Sequence, residues 1–352
     1  MNTTRKTELD VAKGFAIFLV VFGHVVPIHD TIFRWIFSFH MPAFFFLSGM
    51  TFRPEKYPDY RTLLKDKFRR RIIPYFLITA VAFVICMIRP DYRQLILEDG
   101  WQKLLVWIFY YGQPMGLYVG QVWFLVALFM AEVISYTWFR CFGEKPLLTR
   151  CTSLVLLAVA AMYIRRIDVL IPLADRLPWK IDTALCASVF LIAGYYANKG
   201  QVLERLRPVS PVLIPICIWF SYYFGPQLIN YVNICDCIYN APPYYYTAAF
   251  LGIGALTMTA MLCKRSRFWQ FCGRYSMQIF AAQTFVIYFV VEMIERFTGI
   301  HYEPMLAMPG DKVSLAVSIA AFAIMLAVLY PWSLYKERQM KQQAKENSPS
   351  CI

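Results

Sequence analysis

Long apolar runs constrain this chain more than any other feature of its sequence. Ten of them lie near residues 11–28, 36–53, 72–88, 119–141, 151–164, 182–198, 211–229, 244–263, 276–295 and 313–333. A membrane span takes about 20 residues at the helical rise of about 1.5 Å. Lipid offers no hydrogen-bond partners, so such runs cross it as helices. Composition agrees, with 59% hydrophobic and 16% charged residues against about 45–50% and about 25% in soluble domains. A soluble enzyme and a disordered chain are both excluded. The expected fold is an all-α integral membrane protein, a bundle of about ten transmembrane helices. An eleventh stretch, Trp101–Tyr111, is too short to span and reads as an interfacial or re-entrant segment, with its aromatic residues suited to the headgroup level.

The net charge of +13 does not point to nucleic acid, because the basic residues sit in short runs between apolar segments. That distribution sets membrane orientation. With ten spans and a cytoplasmic N-terminus, 25 of the 35 basic residues fall in cytoplasmic segments. If Trp101–Tyr111 also crossed, the basic residues downstream would divide 6 inside and 14 outside, against the positive-inside rule. Ten spans with both termini in the cytoplasm is therefore the expected topology. The polar, basic start leads into the first apolar run without a small-residue cleavage site, which reads as an uncleaved signal anchor. Residues 1–335 are expected to form one membrane domain and 336–352 a polar cytoplasmic tail. The ten cysteines have no C-x-x-C spacing, and no metal site is expected; Cys235 and Cys237 form a loop C-x-C whose bland reading is structural.

Ionisable residues inside spans are expensive and mark functional sites. Lys13 and His24 lie eleven residues apart in LDVAKGFAIFLVVFGH. Eleven residues are close to three helical turns, so both share one face about 16 Å apart. The bland readings are a snorkelling anchor for Lys13 and an interhelical hydrogen bond for His24. His40, near the outer end of the second span, falls at a depth comparable to His24, with Pro42 beyond it. His29 and His301 fall in outer loops, where solvent exposure suffices to explain them. Span three opens with the basic cluster LLKDKFRRRIIPYF, whose bland reading is topology-setting charge. Glu132 stands mid-span in VWFLVALFMAEVISY. A lone carboxylate there would take up a proton, so a partner from another helix or a functional role is expected.

The ordered segments LDVAKGFAIFLVVFGH, FHMPAFFFLSG, RRIIPYF and VWFLVALF resemble the acyltransferase-3 family of membrane-bound acyltransferases. These act on bacterial surface polysaccharides and lipid-linked sugars, among other acceptors. The resemblance extends over nearly the whole chain and implies a bundle of about ten helices, in the inner (cytoplasmic) membrane of a bacterium. It implies that Lys13 occupies the family's basic position, where Arg is common; Lys keeps the charge but not the guanidinium fork. His24 matches the essential histidine and Arg71 the basic residue ahead of the third-span proline. Two departures stand out. Phe68 replaces a second Arg of many members, and Gln283 stands where many have a His.

O-acyl transfer from a thioester needs a base for the acceptor hydroxyl, a dock for the anionic donor and stabilisation of the oxyanion. The expected donor is acyl-CoA, acetyl-CoA foremost. The expected acceptor is a hydroxyl of a carbohydrate or lipid-linked sugar. Lys13, Arg70 and Arg71 suit the donor's phosphates, and His24 suits the base, or else an acyl-histidine intermediate. His40 would orient His24, bind the acceptor or protonate the leaving thiolate. Glu132 and Trp123 are assigned to the acceptor side, Glu132 among the catalytic groups. The rival reading is a proton-coupled transporter or flippase of a lipid-linked glycan that uses His24, His40 and Glu132; the absence of a visible two-fold repeat speaks against it.

Overall fold

Each apolar run forms a helix in the computed structural model, which describes residues 7–27, 30–89, 93, 94, 96, 100–117, 119–164, 176–229, 231–299, 302, 304 and 311–346. The helices are α1 (Thr7–Gly23), α2 (Thr31–Thr51), α3 (Tyr60–Lys67), α4 (Ile73–Ile88), α5 (Trp101–Phe109), α6 (Trp123–Phe142) and α7 (Leu147–Tyr163). They continue with α8 (Ile181–Lys199), α9 (Val202–Leu206), α10 (Ser210–Tyr222), α11 (Pro242–Leu262), α12 (Arg267–Arg274), α13 (Ser276–Thr298) and α14 (Asp311–Glu346). The only strands among the described residues are β1 (Val232–Asn233) and β2 (Ile238–Tyr239), an antiparallel pair in the loop before α11.

Among the described residues, seven helical stretches are long and apolar enough to cross a membrane by length and composition. The chain is an all-α, multi-pass membrane protein. α1, α2 and α7 fall outside that set, for different reasons. α7, like α1, has only 17 residues. α2 has 21, but it carries Asp30-capped polar residues at its start and Ser38 and His40 within. α1 and α2 stand inside the bundle, and an interior helix is screened from lipid by its neighbours. The outer stretch Tyr60–Ile88 buries 28% of its most apolar window, whereas Gly120–Phe142 buries 72%.

Several helix ends differ from the expected bounds, and two of them bear on the site and the tail. α1 ends at Gly23, so His24 sits on the turn that closes the helix. Pro27 explains this: it has no N–H for the carbonyl four residues back, and it biases its predecessor away from helical geometry. α14 runs past Lys336 to Glu346 without a break.

Tight glycine contacts fix the inner helices. A Cβ on Gly14 of α1 would meet the Trp269 carbonyl of α12, and one on Gly273 of α12 would meet the Asp10 carbonyl of α1. The same reciprocal approach joins α2 and α8, through Gly49 against Leu191 and Gly194 against Phe46. Small residues let backbones meet where lipid supplies no hydrophobic drive to association.

Candidate active site

The α1–α12 contact places Lys13 and Arg274, each next to one of the paired glycines, on a common cavity. Its volume is about 240 Å3, and its lining includes Lys13, Ile17, Val20, Arg71, Phe124 and Phe280, together with Arg274. A second cavity, of about 590 Å3, is lined by His24, Lys103, Trp107, Gln121, Thr284 and Tyr288, among others. The two share the walls of three segments. On the first, Val20 faces one cavity and His24 the other; on the second Phe124 and Gln121; on the third Phe280 and Thr284. Each pair is three or four residues apart, so the cavities are separated by about one helical turn, about 5 Å.

His24 is half-buried, and its Nδ1 lies 2.7 Å from the Val20 carbonyl. A carbonyl only accepts, so Nδ1 carries the proton and donates it to that bond. Nε2 is thereby left as the basic nitrogen. His40 is buried, and its Nδ1 donates in the same way to the Ile36 carbonyl at 2.7 Å. The Phe37 ring stands beside both imidazoles, with centroids 6.3 Å from His24 and 4.7 Å from His40. His40 is not among the residues lining the His24 cavity. His29 and His301 lie outside the described residues.

The arginine cluster divides its work. Pro74 cannot donate a helical hydrogen bond, and its ring crowds the carbonyl four residues back; Phe68–Ile72 accommodates this as a π-helical turn between α3 and α4. Across that turn Lys67 and Arg71 both reach Glu132, with Nζ–Oε1 at 2.8 Å and Nη2–Oε1 at 3.1 Å. Lys67 is further boxed in by the rings of Phe52 and Tyr57, at 4.9 and 5.5 Å. Glu132 thus has its partners on another helix. It lies with the cations, and it is not among the residues that line the His24 cavity. Arg71 faces the smaller cavity, whereas Arg70 is turned outward onto Asp66 at 2.9 Å. Arg70, expected with Lys13 and Arg71 at the donor's phosphates, does not line the cavity those two share. Trp123 lines neither cavity; it packs against Phe124 and lies 6.0 Å from the Lys180 ammonium.

Several site residues escaped the sequence reading. Arg274 adds a third cation to the smaller cavity. Gln121 and Thr284 carry buried side-chain atoms with no hydrogen-bond partner among the described residues. So does Gln283, which the sequence marked only as a departure from a family histidine. The available signal was a polar residue inside an apolar run, which periodicity alone does not assign to a cavity.

A separate cluster holds the loop before α11. Arg176 bridges Asp182 and Asp236, at 3.1 and 2.8 Å. The Lys180 ammonium donates to Gln113 Oε1 at 2.6 Å and to the Cys235 carbonyl at 3.2 Å. Burial pushes the Cys235 thiol up to about 12 and that of Cys237 to about 11. Both therefore remain thiols at neutral pH, the unreactive form.

A helical membrane protein with a three-cation cavity one turn from a histidine-lined one is the class that fold and site define. The chain belongs to the acyltransferase-3 family: the family model described as an acyltransferase domain matches residues 6–336. It is an acyltransferase that transfers groups other than amino-acyl groups. No curated protein and no solved structure matches it. With the activity class fixed, the transporter reading of His24, His40 and Glu132 is set aside.

Proposed function

We propose that this protein moves an acyl group, acetyl foremost, from cytoplasmic acyl-CoA to a hydroxyl of a carbohydrate or lipid-linked sugar. The observation that carries this reading is the pair of cavities one turn apart, cationic in one and imidazole-lined in the other. Lys13, Arg71 and Arg274 bind the donor's phosphates, and the pantetheine arm reaches along α1 toward His24. The acceptor enters the larger cavity. There Trp107 and Tyr288 offer rings to a sugar face, and Lys103 a positive charge. In this reading the chain crosses a bacterial inner membrane ten times, with both termini and the cation cavity on the cytoplasmic side.

His24 Nε2 takes the acceptor's hydroxyl proton as the oxygen attacks the thioester carbonyl. The C–O bond forms, the C–S bond breaks, and the imidazolium returns its proton to the departing sulfur. Glu132 acts at a distance by holding Arg71 in place, and His40 packs behind Phe37. Purified protein incubated with acetyl-CoA should release free thiol in the presence of a suitable glycan or lipid-linked sugar. His24→Ala should reduce that release by about 10²–10⁴-fold, the usual worth of a general base. Retention of more than about a tenth of the rate would remove His24 from the chemistry.

A further inference from the structure

Deep inside the bundle, α6 and α13 touch through Phe124 and Phe280, whose rings meet edge to face with centroids 5.8 Å apart. Both rings belong to the wall of the cation cavity. One turn farther along, toward His24, each segment presents an amide: Gln121 three residues before Phe124, and Gln283 three residues after Phe280. Gln121 lines the His24 cavity; Gln283 lines neither cavity, but along α13 it falls between Phe280 of one and Thr284 and Ile287 of the other. Gln283 is 0% exposed and Gln121 8%. Gln121 Nε2 and both polar atoms of Gln283 have no hydrogen-bond partner among the described residues. Burying an amide without a partner is costly, because the group loses its bonds to water and gains none in return. Two at one level of one partition are hard to explain as scaffold, because a scaffold amide would be bonded or replaced by an apolar residue.

We propose that Gln121 and Gln283 are the donors that hold the thioester carbonyl at the partition between the two cavities. This inference rests on the acyl-CoA reading above and deepens it. The donor's acyl group has to pass that partition to reach His24. Its carbonyl oxygen is an acceptor in the ground state and gains negative charge when the acceptor hydroxyl attacks. Amide N–H groups fixed beforehand in a water-poor site stabilise that charge without reorganising. The carbonyl oxygen satisfies donors that the protein itself leaves unbonded. His24 takes the proton, and the amides hold the oxygen.

The experiment compares two ligands of the purified full chain, acetyl-CoA and S-ethyl-CoA, a thioether that lacks only the carbonyl oxygen. The wild type should bind acetyl-CoA about tenfold or more tightly, since one hydrogen bond of about 1.4 kcal/mol is a factor of ten. In Gln121→Met and Gln283→Met the preference should shrink, and in the double variant it should approach one. The same substitutions should raise the thermal midpoint of the ligand-free protein, because they remove unbonded buried polar atoms. A structural glutamine would lower it. Gln283→Glu, which keeps the shape but presents acceptors, should also lose the preference. Equal wild-type affinity for the two ligands would overturn the inference, as would a double variant that keeps the wild-type preference. Either result alongside a dead His24→Ala would leave the transfer reaction standing. Carbonyl preference lost in the variants, with no acceptor transfer by the wild type, would support the inference and overturn the acceptor reading instead.

Discussion

Arg70 and Arg71 are neighbours with opposite fates: the Arg70 side chain is 60% exposed beside Asp66, whereas that of Arg71 is 23% exposed and tied to buried Glu132. An exposed i,i+4 ion pair contributes about 0.3–0.5 kcal/mol. Arg70→Ala should therefore leave stability and the Michaelis constant for acyl-CoA close to wild type. Arg71→Ala and Arg274→Ala should raise that constant about tenfold or more while the constant for the acceptor stays put, the pattern expected of donor-binding cations. An equal rise for both substrates would move these arginines out of the donor site. Glu132→Gln tests the buried triad. Removing one member of a buried ion pair costs about 3–5 kcal/mol because the remaining charges lose their counterion. The variant should unfold at a clearly lower temperature in detergent and bind acyl-CoA more weakly. A carboxylate working on the acceptor would instead slow turnover at unchanged stability.

At the scale of elements, close approach is set by what a helix lacks. Gly194 of α8 meets the Phe46 carbonyl of α2, and an added Cβ has no room there. Gly254 of α11 has nothing nearer than 3.9 Å to a Cβ. Gly194→Ala should thus destabilise by about 1–3 kcal/mol, the range for overpacking. Gly254→Ala should be neutral or slightly stabilising, since alanine is the better helix former. Thermal unfolding of the two variants side by side checks this, and an equal response would mean that α2 and α8 can slide apart. In the loop before α11, buried Cys235 and Cys237 should resist a permeant maleimide until the protein unfolds, whereas exposed Cys141 should react. Early labelling of Cys235 would show that the Arg176–Lys180 clamp opens in the native state.

At the scale of the molecule, the expected orientation makes one further prediction. Cys141, at the end of α6, should be shielded from an impermeant thiol reagent in intact cells and react in inverted vesicles. A cysteine introduced at Gln94 should behave in the reverse way. The opposite pattern would put the cation cavity on the outer face, where no acyl-CoA is found. The positive-inside bias carries this expectation, with 25 of 35 basic residues in the segments assigned to the cytoplasm.

Much of this protein was legible in one dimension. A helix in lipid must satisfy its own backbone, so runs of apolar residues disclosed helices directly, and a cation and an imidazole eleven residues apart disclosed a stripe along α1 and its closing turn. These are properties of a single segment and its solvent. What a side chain meets across the bundle is a property of two or more segments, and there the sequence ran out. Glu132 needed a partner, but only the packing of α6 against the π-turn supplied Lys67 and Arg71. Arg70 and Arg71 look alike in sequence; the rotation from one residue to the next around the π-turn sends one to solvent and the other to the cavity. Gln121 and Gln283 are 162 positions apart. Only the antiparallel contact of α6 with α13 brings them to one level, because helix phase, crossing and depth are fixed by packing and not by the run of residues within either helix.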